Sequence, residues 1–226
     1  MFEQQPDKLR QKVQELATEA INKSEPSAWF EVLYASANGN AEQIPWAKLT
    51  PHPYLQDWLD HHQLSTEGKK ALVIGCGLGD DAEALAKLGF DVTAFDISPT
   101  AISWCQRRFP DSPVNYQIAD LLAIPSQWYA GFDFVFECRN IQALPLSVRS
   151  SVISSVAGLV APGGTLLLIT RVREIEDEPS GPPWPLSNSE LSQLESLGLT
   201  KIADTLFLES QETEVQQMRI EYQQIH

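Results

Sequence analysis

The side chains best placed to do chemistry surround a short run of glycines. Gly75, Gly77 and Gly79 follow four apolar positions, residues 71–74, and lead into Asp80 and Asp81. Without a Cβ, such residues let a strand end turn sharply and let a ligand lie against bare backbone, while the helix start beyond offers free N–H donors. Asp96 closes a second apolar run, residues 91–95, 21 positions after Gly75, the place where a nucleotide-binding βαβ unit carries the acid that accepts from ribose hydroxyls. Asp120 closes a third run, residues 114–119, and suits the exocyclic amine of an adenine. A dinucleotide fingerprint would need its third glycine one position later, where this chain has Asp80. A carboxylate there repels a pyrophosphate and attracts an ammonium group. At the end of a fourth run stand Glu137, Cys138, Arg139 and Asn140. Glu137 can serve as a general base or hold crevice backbone; Arg139 can orient an acidic group, lower a thiol pKa, or pair with Glu137 or Asp120. Cys138 has no histidine near it in sequence to make it a nucleophile.

These groups need a scaffold, and hydrophobic periodicity supplies one. The segment after Gly79 reads as a helix stopped by Gly89; Ser98 and Pro99 open another that runs to about residue 109. Residues 131–138 read as strand four, 147–160 as a helix, and 165–172 as strand five after the turn at Pro162, Gly163 and Gly164. A long loop with four prolines follows, then a helix opened by Ser187 or Ser189 with Glu190 and ended by Gly198. Residues 199–209 and 214–224 read as an antiparallel hairpin. Strands alternating with helices give a doubly wound α/β sheet whose ligand crevice lies at the carboxyl ends of strands one and four. Ahead of it, residues 7–23 form an amphipathic helix, and an aromatic, proline-rich segment carries Trp29, Phe30, Tyr34, Trp46, Tyr54 and Trp58. That segment is either a clasp on the sheet or a lid whose rings face the ligand.

Composition narrows the function class. With 30 acids against 16 bases the net charge is −14, which repels polyanions and argues against nucleic acid as partner. Three scattered cysteines propose neither a disulfide framework nor a zinc site. Adjacent His61 and His62 point to different sides of a helix end and make poor metal ligands, so no metal is expected. No apolar run approaches the ~20 residues of a membrane span, and the N-terminus lacks the apolar core of a signal peptide. The expectation is a cytoplasmic protein without membrane contact.

In its glycine turn and its two acidic strand ends the chain resembles the class I S-adenosylmethionine-dependent methyltransferases, with Gly75, Gly77, Gly79, Asp96 and Asp120 in the matching positions. The resemblance implies a mostly parallel, seven-stranded, Rossmann-like sheet over residues 66–226 with an antiparallel C-terminal hairpin, and a helical, aromatic cap over residues 1–65. Three shorter motifs resemble the thiopurine methyltransferase-like branch, which includes thiol and chalcogen methyltransferases. They are Ile44-Pro45-Trp46 followed by Pro51, Pro53 and Leu55; the run from Phe134 to Pro145 followed by Arg149; and Gly181-Pro182-Pro183-Trp184. The branch commonly shows Asp-Arg-Gly-Ala-Leu where this chain has Glu137-Cys138-Arg139-Asn140-Ile141. By that resemblance S-adenosylmethionine is the cofactor, bound by Trp29, Trp46, Gly75, Cys76, Gly77, Asp96, Ile97, Asp120, Leu121 and Glu137. Glu137 and Arg139 are the catalytic candidates, and Trp184 falls on the acceptor side. The acceptor is a small molecule attacking through sulfur, selenium or oxygen, and the protein a monomer or weak homodimer. The alternatives are a catalytically silent cofactor-binding protein and an NAD(P)-dependent oxidoreductase; the glycine spacing and Asp120 disfavour the latter.

Overall fold

The computed structural model describes residues 7–174, 179, 181–208 and 216–225. Seven strands form one sheet in the order β3-β2-β1-β4-β5-β7-β6. They are β1 (Lys70–Ile74), β2 (Asp91–Asp96), β3 (Asn115–Ile118), β4 (Phe132–Cys138), β5 (Val160–Arg171), β6 (Leu199–Leu208) and β7 (Gln216–Gln224). β1 to β5 pair in parallel, and β7 runs antiparallel to both β5 and β6. The chain begins at β1, winds out to β3, then returns to pair β4 on the other side of β1, so the order reverses between β1 and β4. Loops on either side of that point diverge, which opens a crevice at the strands' carboxyl ends.

The helices are α1 (Asp7–Asn22), α2 (Trp29–Ala37), α3 (Pro53–His61), α4 (Asp80–Lys87), α5 (Pro99–Arg108), α6 (Arg149–Gly158) and α7 (Asn188–Ser196). β1 is buried on both faces from Ala71 to Ile74, as a central parallel strand must be. One face packs Leu72, Ile74, Val135 and Leu168 against α6 and α7; the other packs Val73, Ala94, Phe136 and Leu167 against α3, α4 and α5. Caps fall where the sequence places them. The Ser98 hydroxyl accepts from Ala101 N, and Ser187 with Glu190 forms a reciprocal capping box on α7.

Strand five departs from expectation. It begins at Val160 rather than at residue 165, because Val160 pairs with Phe132 before the chain bulges through Pro162, Gly163 (φ +76) and Gly164 and rejoins the ladder at Thr165 opposite Phe134. The polar turn of the C-terminal hairpin lies outside the described residues. Among the described residues no helix is long and apolar enough to cross a membrane.

The aromatic segment packs against the rest of the protein on one side and lines the cavity described below on the other. Ala17, Leu33, Tyr34 and Ile44 form a cluster with Leu78, Ala101 and Trp104 of the sheet domain. Glu31 of α2 accepts from Ser98 Oγ (2.5 Å), Thr100 N (3.1 Å) and Thr100 Oγ1 (2.7 Å) at the start of α5. Burial opposes ionisation of Glu31, but those three bonds outweigh it and hold the carboxyl below its ordinary pKa.

Candidate active site

The floor of the crevice is the turn after β1. Cys76 N donates to Phe95 O of β2 at 2.8 Å, and Gly77 N donates to Asp96 Oδ2 at 3.0 Å. Ser98 N donates to Asp96 Oδ1 at 2.9 Å. The Asp96 carboxylate is thereby fixed from both sides, in a cavity of about 250 Å³ that it helps to line. It is 6% exposed, and burial lifts its pKa to about 6 despite the two backbone donors. Ile97 and Phe95 flank it, and Ala119, Asp120 and Leu121 continue the wall from the end of β3. Asp120 keeps its own loop in place by accepting from Leu122 N at 2.8 Å.

Aromatic rings roof this cavity. Trp29 stacks on Phe30 with centroids 3.9 Å apart, and Trp46 meets both edge-on, at 5.9 and 5.8 Å. The Trp46 indole N–H donates to the Tyr34 hydroxyl at 2.7 Å, and Tyr34 is fully buried under it. Losing that donor leaves a buried hydroxyl short of a partner, which costs about 1–3 kcal/mol. Trp46→Phe is therefore expected to loosen the roof and weaken cofactor binding several-fold, as read by calorimetric titration; unchanged affinity would detach the roof from the site.

The far wall is the turn after β4. Arg139 takes φ +68, uncommon for a residue with a Cβ. Its N–H donates to Ile169 O at 2.8 Å, and its Nη2 donates to Gln217 Oε1 of β7 at 2.6 Å. Asn140 Nδ2 donates to Ile74 O at 2.8 Å, so the amide sits over Gly75, where any Cβ would collide with Asn140 Oδ1. Gly75 is thus required by Asn140 as well as by its φ of +56.

Several expected residues lie elsewhere than foreseen. Glu137 has no exposed surface; its Oε1 accepts from Asn140 N (2.5 Å) and Ile141 N (2.9 Å), and its carboxylate faces away from the cavity into the turn. Burial pushes its pKa up to about 7, against the pull of those backbone donors. Cys76 and Gly77 line an adjoining hollow, not the Asp96 cavity. The absent Cβ of Gly77 would point at Tyr34 OH, 3.2 Å away, so that glycine makes room for the Tyr34 hydroxyl. Asp80 borders that hollow, but Arg108 of α5 engages both of its oxygens with two 2.8 Å bonds. Asp81 lines the hollow beside it, accepting from His52 N at 2.6 Å, with its pKa raised by burial to about 6. Trp184 is 8% exposed and turned inward, leaving Pro182 and Pro183 as cavity wall. The cavity and the hollow share Trp46, Gly75, Cys138 and Arg139, so the crevice is continuous past the glycine turn.

Sequence reasoning did not single out Gln142, Arg171 or Arg10, each of which reaches the cavity from a separate element. Only a strand register and a helix docking angle bring them together, and neither is written locally.

A cofactor with a ribose, an adenine and a sulfonium asks for fixed acids, an apolar slot and electron-rich rings. Asp96 and Asp120, the Ile97 and Leu121 side chains, and the Trp29, Phe30 and Trp46 roof meet that demand, and the chemistry of the wall fits S-adenosylmethionine.

Known proteins point the same way. The "Probable thiol methyltransferase 2" of Arabidopsis thaliana is 30% identical over 156 residues, covering 68% of this chain and 67% of that protein. The "Ubiquinone biosynthesis O-methyltransferase" of Stutzerimonas stutzeri (strain A1501) is 31% identical over 121 residues, 53% of this chain and 51% of that protein. The chain thus spans about two thirds of the first relative and about half of the second. The N-methyltransferase NodS from Bradyrhizobium japonicum WM9, solved with S-adenosylhomocysteine, shares the fold with a TM-score of 0.65 at 18% identity, covering 87% of this chain and 98% of that one. A structure concerned with conversion of a disulfide bond into a thioacetal group during echinomycin biosynthesis gives 0.68 at 20% identity, covering 86% and 92%. The sequence profile of the Thiopurine S-methyltransferase family matches residues 37–225. With that match spanning cap and sheet alike, the chain belongs to the thiopurine S-methyltransferase family of S-adenosylmethionine-dependent methyltransferases.

Proposed function

We propose that the protein methylates a small thiol or related chalcogen nucleophile, with Asp96 holding the cofactor ribose and Arg139 facing the acceptor. The observation that carries this reading is the arrangement of one cavity: a fixed, buried carboxylate on one side, a guanidinium on a strained turn on the other, and aromatic rings above both. Asp120 and Leu121 would take the adenine, Ile97 the ribose edge, and Trp29 and Trp46 the sulfonium side while excluding water. Bound there, the cofactor supplies an electrophilic methyl whose leaving group is a neutral thioether.

The protein's own work is then positional. Arg139 favours the anionic form of an acceptor thiol by charge, so the proton leaves to solvent before transfer and the sulfur lone pair forms the new S–C bond. Pro182, Pro183 and Gln142 close the acceptor end. Glu137 acts through backbone: by tying Asn140 N and Ile141 N it holds the turn that presents Arg139. A net charge of −14 supports a small acceptor over a nucleic acid, and three free cysteines fit a reducing, cytoplasmic compartment. The thiol choice is further supported by the name of the Arabidopsis thaliana relative.

Titration with S-adenosylhomocysteine beside NADH tests the cofactor, and mass spectrometry of thiophenol and hydrosulfide after incubation tests the acceptor. Binding of NADH alone, or methylation of alcohols but no thiol, would overturn the reading. Arg139→Ala is expected to slow methylation of a cysteine-like alkyl thiol about tenfold at pH 7, with the deficit shrinking as pH rises toward the free alkyl thiol pKa of ~8.5. A deficit constant with pH would give Arg139 a purely steric role.

A further inference from the structure

Behind the acceptor wall lies a charged cluster that touches neither acceptor nor cofactor. Arg149, at the start of α6, is 2% exposed, and Glu190, in the first turn of α7, is 7% exposed. Arg149 Nη1 meets Glu190 Oε1 at 3.0 Å, while Nη2 donates to Leu144 O (3.2 Å) and to Trp184 O (3.0 Å). Glu190 Oε2 accepts from Ser187 N and from Arg173 Nη1, both at 2.8 Å, and Arg173 Nη1 also donates to Pro185 O. On the cavity side, Trp184 N donates to Gln142 O at 2.7 Å, and Gln142 Oε1 accepts from Arg171 N (2.5 Å) and Thr170 Oγ1 (3.1 Å). The Trp184 ring folds back so closely over Gly181 that a Cβ there would lie 2.5 Å from it. Four of these bonds end on backbone within residues 184–187: those at Trp184 O, Trp184 N, Pro185 O and Ser187 N. Their common effect is to fix Pro182 and Pro183, which have no backbone N–H of their own to anchor them.

We propose that the buried Arg149–Glu190 pair positions the Pro182–Pro183 wall and thereby sets which acceptor fits the site. Stability alone does not explain the pair. Taking Arg149, Arg173 and Glu190 out of water costs about as much as their attraction returns, and well-packed apolar side chains of similar volume would hold α6 to α7 at least as firmly. What apolar side chains cannot do is address two carbonyls and a helix cap at once, with directional bonds. The inference rests on the acceptor reading given above, with Arg149 and Glu190 as positioning residues rather than catalytic ones.

The test uses the full chain in three forms: Glu190→Gln, Gly181→Ala, which disturbs the same loop without touching the pair, and the apolar double variant Arg149→Met with Glu190→Leu. Each is first shown to melt cooperatively. Exchange of the Trp184 amide reads the wall directly, S-adenosylhomocysteine titration reads the cofactor half, and KM and kcat for thiophenol and hydrosulfide read the acceptor half. All three forms are expected to exchange the Trp184 amide at least tenfold faster and to raise acceptor KM about tenfold. Cofactor affinity and kcat should stay within threefold. The double variant decides between positioning and bulk stability: wild-type KM in a folded, apolar pair would overturn the proposal, as would unchanged exchange or equal losses in cofactor and acceptor binding. If the wild type methylates neither probe, the thiol reading and the specificity role fall together, while the exchange arm still shows whether the pair holds the wall.

Discussion

Asp96→Ala is expected to weaken S-adenosylhomocysteine binding by at least about a hundredfold. Two hydrogen bonds from ribose hydroxyls to a carboxylate are worth about 1.5 kcal/mol or more each, and ~3 kcal/mol is more than a factor of 100 in affinity. The substitution also removes the acceptor for Gly77 N and Ser98 N, held at 3.0 and 2.9 Å, so the glycine turn and the start of α5 lose their common anchor. Asp96→Asn separates the two contributions, since its amide oxygen can still accept one backbone donor while the charge is gone. Titration calorimetry gives the affinities, and thermal melting of the ligand-free variants shows how much of the loss is structural. Wild-type affinity in a folded Asp96→Ala protein would remove this carboxylate from the site.

Asp96 is legible in the sequence because everything that defines it is local. A strand, a glycine turn, a helix and a second strand have nearly fixed lengths, so the acid must fall about 20 residues on, and the reversal of strand order follows from the same alternation of elements. The Ser98 cap and the Ser187–Glu190 capping box are equally local. Misreadings begin where a distant partner decides. Asp80 looks free to meet an ammonium group, but Arg108 lies on the neighbouring helix and takes both of its oxygens. Glu137 looks like a base at the mouth of the crevice; the turn after β4 doubles back and uses its carboxylate as a cap. Trp184 looks like an acceptor-side ring, yet its packing over Gly181 turns it inward and leaves two prolines on the surface of the cavity. Strand alternation says which face a residue is on, but not whether the chain beyond the strand end covers it.

Those buried carboxyls give the ligand-free protein an unusual dependence on pH. Glu137 is pushed to about 7, and Asp96 and Asp81 to about 6, in each case chiefly by burial. A carboxyl whose folded pKa lies above its unfolded value binds its proton more tightly when folded, so it adds stability as pH falls through the folded pKa toward about 4. His52 works in the opposite sense. Burial first, and the nearby Arg139 second, lower its pKa from 6.5 to about 3, so stability is lost below pH 6.5 as the unfolded chain takes up a proton that the native one refuses. Asp133 and Glu31, whose pKa values are lowered, keep their contribution until pH falls to about 4, outside this window. A folded pKa that lies one pH unit from its unfolded value corresponds to about 1.4 kcal/mol. Between pH 8 and pH 5 three carboxyls therefore outweigh one histidine by roughly 3 kcal/mol, and easing the self-repulsion of a chain at −14 adds to the same side. Denaturant unfolding should show stability rising from pH 8 to pH 5, whereas most proteins are already near their maximum across that range. Glu137→Gln, which keeps an acceptor for Asn140 N and Ile141 N but cannot ionise, should flatten the rise by about 2–3 kcal/mol while turnover stays within threefold. Ligand stabilisation should run the other way, shrinking below about pH 6 as Asp96 takes up its proton and loses the charge that ribose hydroxyls favour. A profile that falls from pH 8 to pH 5, or one that Glu137→Gln leaves untouched, would mean that water reaches these carboxyls and that the crevice floor is open where the structure has it closed.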